Sequence, residues 1–160
     1  MSQASLVMFE EESNEISEII ERLVKEANAK SSYLVDKDGQ LIAQSGDTTG
    51  IDATSLASLT AGNIAATGGL AKLIGEKEFS ILFHEGEKDN IHISIVAQRV
   101  ILVVIFDENS SLGLVRLRVR KANDELGNTI EKIVTRMESS SAKENLLEEI
   151  TDDDIENLFN

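Results

Sequence analysis

The sequence contains no cysteine and has few basic residues. Without cysteine, neither a disulfide framework nor a thiolate metal site can form. The 15 lysines and arginines stand against 29 aspartates and glutamates, and the resulting net charge of -14 opposes binding to the phosphate backbone of a nucleic acid. We therefore expect no nucleic-acid partner.

Long apolar runs are also missing. The sequence has neither the apolar core of a signal peptide nor an apolar run of roughly 18 residues, so it predicts no membrane insertion. We expect a cytoplasmic protein. A chain of 160 residues with 41% apolar residues can form one domain with a real core and leave room for a tail.

Acidic residues concentrate at the two ends of the chain. Residues 1–21 hold six glutamates and no basic residue, and residues 138–160 hold eight acidic residues against Lys143 alone. The stretch between these ends, residues 22–137, is nearly neutral. We therefore predict one domain over residues 1–137, followed by an acidic linker and a C-terminal docking helix over residues 138–160. Charged runs of this kind also occur simply as solvated surface.

Hydrophobic periodicity predicts eight elements in the order α-β-β-α-β-β-β-α. The predicted elements are a helix at 9–28, strands at 33–35 and 41–43, a helix from 54 or 55 to 74, strands at 79–83, 91–96 and 100–106, and a helix at 110–137. The run VILVVIF at 100–106 is apolar without a break, which predicts the middle strand. Short hairpin connections favour an antiparallel five-stranded sheet in an α+β sandwich.

Turn and cap signals mark several of these boundaries. Asp36-Lys37-Asp38-Gly39 predicts a hairpin turn with Gly39 at positive φ. A calcium loop would need more oxygen ligands at fixed positions than Asp36 and Asp38 provide. For the second helix, Asp52 or Thr54 is the expected N-cap, and Gly75 is placed to end it.

The second predicted helix, LTAGNIAATGGLAKLIG at 59–75, contains three glycines, each of which costs about 1 kcal/mol relative to alanine. Helical spacing predicts that one face points to the core. That face comprises Leu56, Leu59, Asn63, Ala66, Leu70 and Leu73. The opposite face is almost without side chains: Ala57, Ser58, Ala61, Gly62, Ala65, Gly68, Gly69 and Lys72. Because small residues let another backbone come close, this pattern predicts a contact face.

Nothing in the sequence indicates an active site. The two histidines, His84 and His92, are expected on the surface of strands, at a spacing that forms neither a metal pair nor a nucleophile and base. No G-x-S-x-G elbow occurs, and the segment from Gly68 to Lys72 lacks the G-K-[ST] ending of a phosphate-binding loop. We expect no catalytic residue, no metal and no cofactor.

The chain ends in ITDDDIENLF, where Thr151 can cap a short helix with aspartates in its positive first turn. Ile155, Leu158 and Phe159 would share one side of that helix. Two interpretations remain open: a solvated acidic run, or a docking segment that folds when it binds.

The element order and four segments resemble the roadblock/LC7 family. These segments are YLVDKDGQLIAQSG, SLASLTAGNIAATGGLAKLIGE, VILVVIFDENSSLGLVRLRV and the terminal ITDDDIENLF. The resemblance covers about residues 6–137, and the terminal segment is similar in addition to the end of some members of the family. It implies a five-stranded sheet with helices on both faces. It also implies a homodimer in which the two middle helices pack side by side and strands at Phe79, Ile81 and Phe83 pair across the two-fold axis.

Within the family, the sequence is similar to bacterial regulators of a Ras-like polarity GTPase of the MglA type. The resemblance implies that two copies of the chain bind one GTPase. They would accelerate GTP hydrolysis by holding the GTPase's own Arg and Gln in place. The resemblance also implies that the protein is concentrated at a cell pole. The implied contact residues for the dimer or the GTPase are Thr60, Ala61, Ile64, Ala65, Gly68, Gly69 and Lys72. The implied docking residues in the tail are Ile150, Ile155, Leu158 and Phe159. Since roadblock proteins also act as adaptors, a scaffold without effect on hydrolysis is the alternative.

Overall fold

The computed structural model describes residues 9–149, without the side chains of residues 142–149. The elements follow the predicted order. They are α1 (Glu10–Glu26), β1 (Ser31–Asp36), β2 (Leu41–Gly46), α2 (Ala53–Leu73), β3 (Ile81–Glu85), β4 (Asn90–Val96), β5 (Val100–Phe106) and α3 (Leu112–Glu149). Among these helices, none is both long and apolar enough to cross a membrane.

The five strands form one antiparallel sheet in the order β2-β1-β5-β4-β3. Strand β5 is third of the five and all seven of its residues are buried, which confirms the prediction of an apolar middle strand. A strand that is covered on both faces has no polar side, and this explains its unbroken apolar run. Strands β2 and β3 form the two edges.

The helices cover both faces of the sheet. On one face, α1 and α3 pack through Ile16, Ile20, Leu126 and Ile130, all of which are fully buried. Two arginines that bind glutamates link these helices: Arg22 to Glu125 at 2.7 Å and Arg136 to Glu12 at 2.8 Å. On the other face, α2 packs over a second cluster that includes Tyr33, Val35, Ile101 and Val103. The fold is the predicted α+β sandwich.

The turn between β1 and β2 forms as predicted. The Asp36 Oδ1 atom accepts hydrogen bonds from the backbone N–H of Asp38 and of Gln40, each at 2.9 Å. Gly39 has φ +92°, a conformation that side chains disfavour. A Cβ at Gly39 would lie 3.3 Å from the Ser58 Cα, so this turn also packs tightly against α2.

Helix α3 is longer than predicted. Its buried stripe runs from Val115 to Ile133, as expected, but the helix continues through ESSSAKEN to Glu149. The prediction that this helix ends near residue 137 is therefore wrong. From 128 to 149 the chain has neither Gly nor Pro to end a helix, and Glu, Lys, Ala and Leu favour one. Ile150, Ile155, Leu158 and Phe159 lie outside the described residues.

Candidate functional site

Helix α2 begins and ends at defined signals. The Asp52 side chain accepts hydrogen bonds from the Ser55 N–H at 3.2 Å and from the Ser55 hydroxyl at 2.7 Å, so Asp52, one of the two predicted residues, is the N-cap. The hydrogen bonds from Ser55 lower the pKa of Asp52. At the other end, Gly75 follows the helix with φ +80°, as predicted.

Helix α2 packs on the sheet through small and medium-sized side chains. Its buried residues are Ala57, Thr60, Ile64 and Ala71. The prediction that the leucine face points to the core is wrong, since Leu59 is 74% exposed, Leu70 58% and Leu73 83%. Ala66 is also exposed, and Leu56 and Asn63 are only partly buried. Because α2 is apolar around nearly its whole circumference, periodicity could not select the inward face.

The three glycines of α2 are not required by the packing of this chain. An ideal Cβ built at Gly62, Gly68 or Gly69 has no atom within 4 Å beyond the helix's own backbone. Gly62 and Gly69 are exposed, and Gly68 is partly buried. Each glycine lowers helix stability by about 1 kcal/mol without improving a contact inside the described chain.

The predicted contact residues separate into outward and inward groups. Ala65, Gly69 and Lys72 are exposed, and Ala61 is partly buried beside them. Thr60 and Ile64, which were expected to flank the contact face, are buried under α2 with 7% and 9% of their surface exposed. These two side chains belong to the packing of α2 on its own sheet.

The surface around α2 is unusually apolar. Six large hydrophobic side chains are exposed in the described part of the chain, and four of them belong to α2 and its C-terminal end: Leu59, Leu70, Leu73 and Ile74. Helix α2 lies over β1 and β2, so its other flank borders an open groove of about 370 Å³ above β4 and β3. The groove is lined by Leu56, Leu59, Thr60, Asn63, His84, Ile91, Ile93 and Val103.

Strand β3 forms the free edge beside this groove and starts two residues later than predicted, so Phe79 precedes it. Ile81 is 51% exposed, whereas Phe83 stacks on Phe106 with ring centroids 6.1 Å apart. The Ile95 N–H donates to the Ser80 carbonyl at 3.0 Å. Because hydrogen-bonded pairs alternate along an antiparallel ladder, the N–H groups of Ile81 and Phe83 point away from β4.

The arginines lie away from α2. All six are among the described residues: five belong to α1 and α3 on the opposite face of the sheet, and Arg99 lies in the turn between β4 and β5. Lys72 is the one basic residue of α2. Among the side chains that the structure describes, those of residues 9–141, no group of three or more His, Asp and Glu could hold a metal ion.

The two histidines differ in burial. His84 is exposed, as expected, and its Nε2 lies 3.1 Å from the Asn63 amide nitrogen. His92 is only 1% exposed, so the expectation of a surface histidine is wrong for this residue. Burial lowers the pKa of His92, and the charge of Arg116 lowers it further. The alternation of β4 does place His92 on the face covered by α3, so the pattern held a signal for its burial.

These features define an α+β sandwich domain with one open apolar helix face. The sequence model of the Roadblock/LC7 domain matches residues 15–106, so the chain belongs to this family. The comparison with curated protein sequences gives no match.

Solved structures place the chain near MglB proteins. Myxococcus xanthus MglB has 62% sequence identity and a TM-score of 0.76, covering 80% of this chain and 96% of its own. The gliding protein MglB of Thermus thermophilus has 31% identity and a TM-score of 0.76, with 82% and 99% covered. A structure described as MglB with tetrameric arrangement has 31% identity and a TM-score of 0.77, with the same coverage. The chain is therefore an MglB-like roadblock protein.

Proposed function

We propose that the chain is a homodimeric activator of a Ras-like GTPase of the MglA type, and that it acts without an active site of its own. The observation that carries this proposal is the outward face of α2, where exposed leucines adjoin glycines with open surroundings. Exposed apolar patches of this kind mark interaction surfaces, because water contact makes them unfavourable in a lone protomer. Likeness to MglB supports the same conclusion.

The dimer would use the open flank of α2 and the free edge of β3. A second α2 can lie beside the first and cover the groove of about 370 Å³ with its exposed leucines. The outward N–H groups of Ile81 and Phe83 can pair with the same strand of the partner, which removes an unpaired edge. An antiparallel pairing of identical strands produces the two-fold symmetry that closed dimers require.

The GTPase would contact the remaining bare part of α2. Ala65 and Gly69 lie one helical turn apart and are both exposed, and Lys72 extends the same surface. Without side chains between them, the backbone of another protein can come close to α2 over this turn. A platform built from two α2 helices would hold one GTPase, with two copies of this chain to one partner.

Activation would proceed by selection of a GTPase conformation. Phosphoryl transfer needs a positioned water and a positive charge at the transition state. The absence of arginine from α2 and β3 argues against an arginine finger from this platform. We propose instead that the platform binds the GTPase state in which the partner's own Arg and Gln are in place. The acceleration would then be limited by the preference of the platform for that state.

GTP turnover by an MglA-type GTPase, with and without this protein, tests the activity. Gly69→Arg should abolish the stimulation, since a long cation prevents close approach to α2. Gly113→Arg is a matched control, because Gly113 also has open surroundings but lies on α3 across the sheet. Light scattering should show that both variants remain dimers. Equal stimulation by Gly69→Arg and the parent protein would contradict the proposal.

Arginine substitutions separate the two mechanisms of activation. Alanine at each of the six arginines in turn should leave the stimulated rate within a few fold of the parent. Loss of a true finger would lower it by about a thousandfold or more. A single arginine variant that binds the GTPase normally yet loses nearly all stimulation would establish a finger and overturn the selection mechanism.

A scaffold without effect on hydrolysis is the second candidate. One observation favours it: the outward face of α2 carries no group that performs chemistry. Under this alternative the GTPase binds to the α2 platform with unchanged turnover.

A fluorescent fusion of this protein in the native bacterium would test whether the protein is concentrated at a cell pole. Deletion of the gene would test its expected role in polarity and motility.

A further inference from the structure

A second concave site lies on the face of the sheet opposite α2. It is a crevice of about 260 Å³ between the β3–β4 edge and the N-terminal half of α3. Its lining residues are Ile81, His92, Arg116, Val119, Arg120 and Asn123. No carboxylate is among them, although the protein as a whole is strongly acidic. Of these residues, the dimer proposed above uses the backbone N–H of Ile81 and none of the side chains.

His92 reaches this crevice as a buried side chain without a partner. It is 1% exposed, and neither ring nitrogen makes a hydrogen bond to any of the residues that the structure describes. A buried polar group that lacks a partner is unfavourable by about 1–3 kcal/mol, so such groups call for an explanation. The neutral ring, which burial and Arg116 favour by lowering the pKa, still has one N–H to donate.

Arg116 and Arg120 face the same crevice one helical turn apart. Two like charges at this spacing repel each other. Neither arginine has an ion-pair partner in the part of the chain that the structure describes. The neighbouring Arg118 and Lys121 differ, because both lie 3.7 Å from Glu26 of α1. The crevice therefore concentrates uncompensated positive charge beside a hydrogen-bond donor.

We propose that this crevice binds the phosphate group of a small soluble molecule. Two guanidinium groups, the His92 N–H and the Asn123 amide offer donors, and a tetrahedral oxyanion can accept from several directions at once. Ile81 and Val119 add apolar surface beside these donors. The volume exceeds that of a few water molecules, each of about 30 Å³, and leaves room for a carbon moiety.

The chain's own acidic tail cannot be the occupant within one protomer. At 1.5 Å per residue, α3 places Glu149 about 50 Å from Arg116. Residues 150–160 span at most about 40 Å even when fully extended.

The net charge of -14 repels anions at long range, so we expect an affinity for inorganic phosphate in the millimolar range.

Histidine-selective NMR of the full-length protein tests the proposal directly. The chain has two histidines, so the spectrum contains one signal set for the crevice and one, from His84 on the other face, as an internal reference. At constant pH, added inorganic phosphate should move the His92 ring signals along a saturable curve and leave those of His84 in place. Sodium chloride at matched ionic strength should move neither.

Variants assign the response to the crevice. Arg116→Gln and Arg120→Gln should each weaken phosphate binding about tenfold, since each removes a charge-assisted hydrogen bond. Arg118→Gln is the matched control on the same helix and should bind like the parent. Glycerol 3-phosphate and a short phosphoserine peptide, titrated separately, distinguish a metabolite from a modified protein as the source of the phosphate.

Several outcomes would overturn the site. The site is refuted if sodium chloride shifts the His92 signals as much as phosphate does, or if the signals of both histidines shift in parallel. It is also refuted if the His92 signals do not respond to phosphate up to high millimolar concentrations. Parental affinity in an Arg116→Gln/Arg120→Gln double variant would refute it as well. Stronger binding of the phosphoserine peptide than of glycerol 3-phosphate would refute a small-molecule ligand. The assay contains no GTPase, so its result is independent of the function proposed above.

Discussion

The three glycines of α2 lower the stability of the helix in a single protomer. Gly62 has open surroundings in the middle of the helix. Under the proposed function, the bare position serves a surface that another backbone approaches. Each of these glycines can be tested by a single substitution.

Gly62→Ala should stabilise the free protein by about 0.5–1 kcal/mol, because alanine restricts the unfolded chain and favours the helix. Urea unfolding at neutral pH measures the change. Gly39→Ala, the opposite case, should destabilise, since Gly39 has φ +92° and lies against Ser58. A loss of stability in Gly62→Ala would show that the position is sterically restricted after all.

His92 should make stability depend on pH. Its native pKa is lowered, so between that value and the unfolded value of about 6.5 the unfolded state binds a proton that the native state does not. The free energy of unfolding should therefore decrease as the pH falls below about 6.5. Urea unfolding at pH 7.5 and 5.5 should show a smaller decrease for His92→Leu than for the parent and for the control His84→Leu. Parallel pH profiles in all three proteins would contradict this assignment.

At the scale of elements, the helices on the two faces of the sheet differ in which side chains they bury. Helices α1 and α3 are amphipathic, bury large aliphatic side chains and exchange ion pairs across their exposed edges. Helix α2 differs, because it buries small and medium-sized side chains and exposes Leu59, Leu70 and Leu73. An element of that kind gains most of its apolar burial only when a second molecule covers it.

The free edge of β3 allows a prediction of its own. Ile81→Pro removes an N–H that points away from β4, so the ladder within the protomer should persist while pairing with a second β3 fails. We expect light scattering to show a shift from dimer to monomer at micromolar concentration. Leu82→Pro, which removes an N–H on the β4 side, should instead lower the melting temperature. An unchanged dimer in a folded Ile81→Pro protein would exclude edge pairing.

At the scale of the whole molecule, the described chain presents two separate surfaces. The α2 face is apolar and bare, and the crevice beside α3 is small and positive. They lie on opposite sides of one sheet, so a GTPase and a phosphate compound could bind at the same time. The acidic tail forms a third part, whose docking role through Ile150, Ile155, Leu158 and Phe159 remains a proposal.

Removal of residues 150–160 should weaken binding to the GTPase and leave the dimer intact, because the tail would supply apolar anchors separate from the α2 platform. Titration calorimetry with the GTPase and light scattering of the free protein measure the two effects. The same deletion in a Gly69→Arg background should show whether the tail binds by itself. Unchanged affinity and unchanged nucleotide exchange after the deletion would exclude the docking role.

Local patterns predicted most of the sheet. Ile91, Ile93 and Ile95 alternate with polar residues, and β5 is apolar throughout, so their places in the sheet followed from the spacing. The Asp36–Gly39 turn formed because its hydrogen bonds are made within four residues. The extension of α3 beyond residue 137 did not follow from periodicity, because the apolar stripe ends there while the polar residues that continue the helix have no such pattern.

The sequence by itself determined the order of elements, the middle strand, the turn at Gly39 and the family, because each depends on neighbouring residues or on strong contrast between polar and apolar positions. Tertiary structure alone decided which side of α2 faces the sheet. That helix has little such contrast, so close packing of Ala57 and Ile64 against the strands fixed its rotation and left Leu59, Leu70 and Leu73 outside. The same assembly brought His92 to Arg116 and Arg120, which no local pattern could place together.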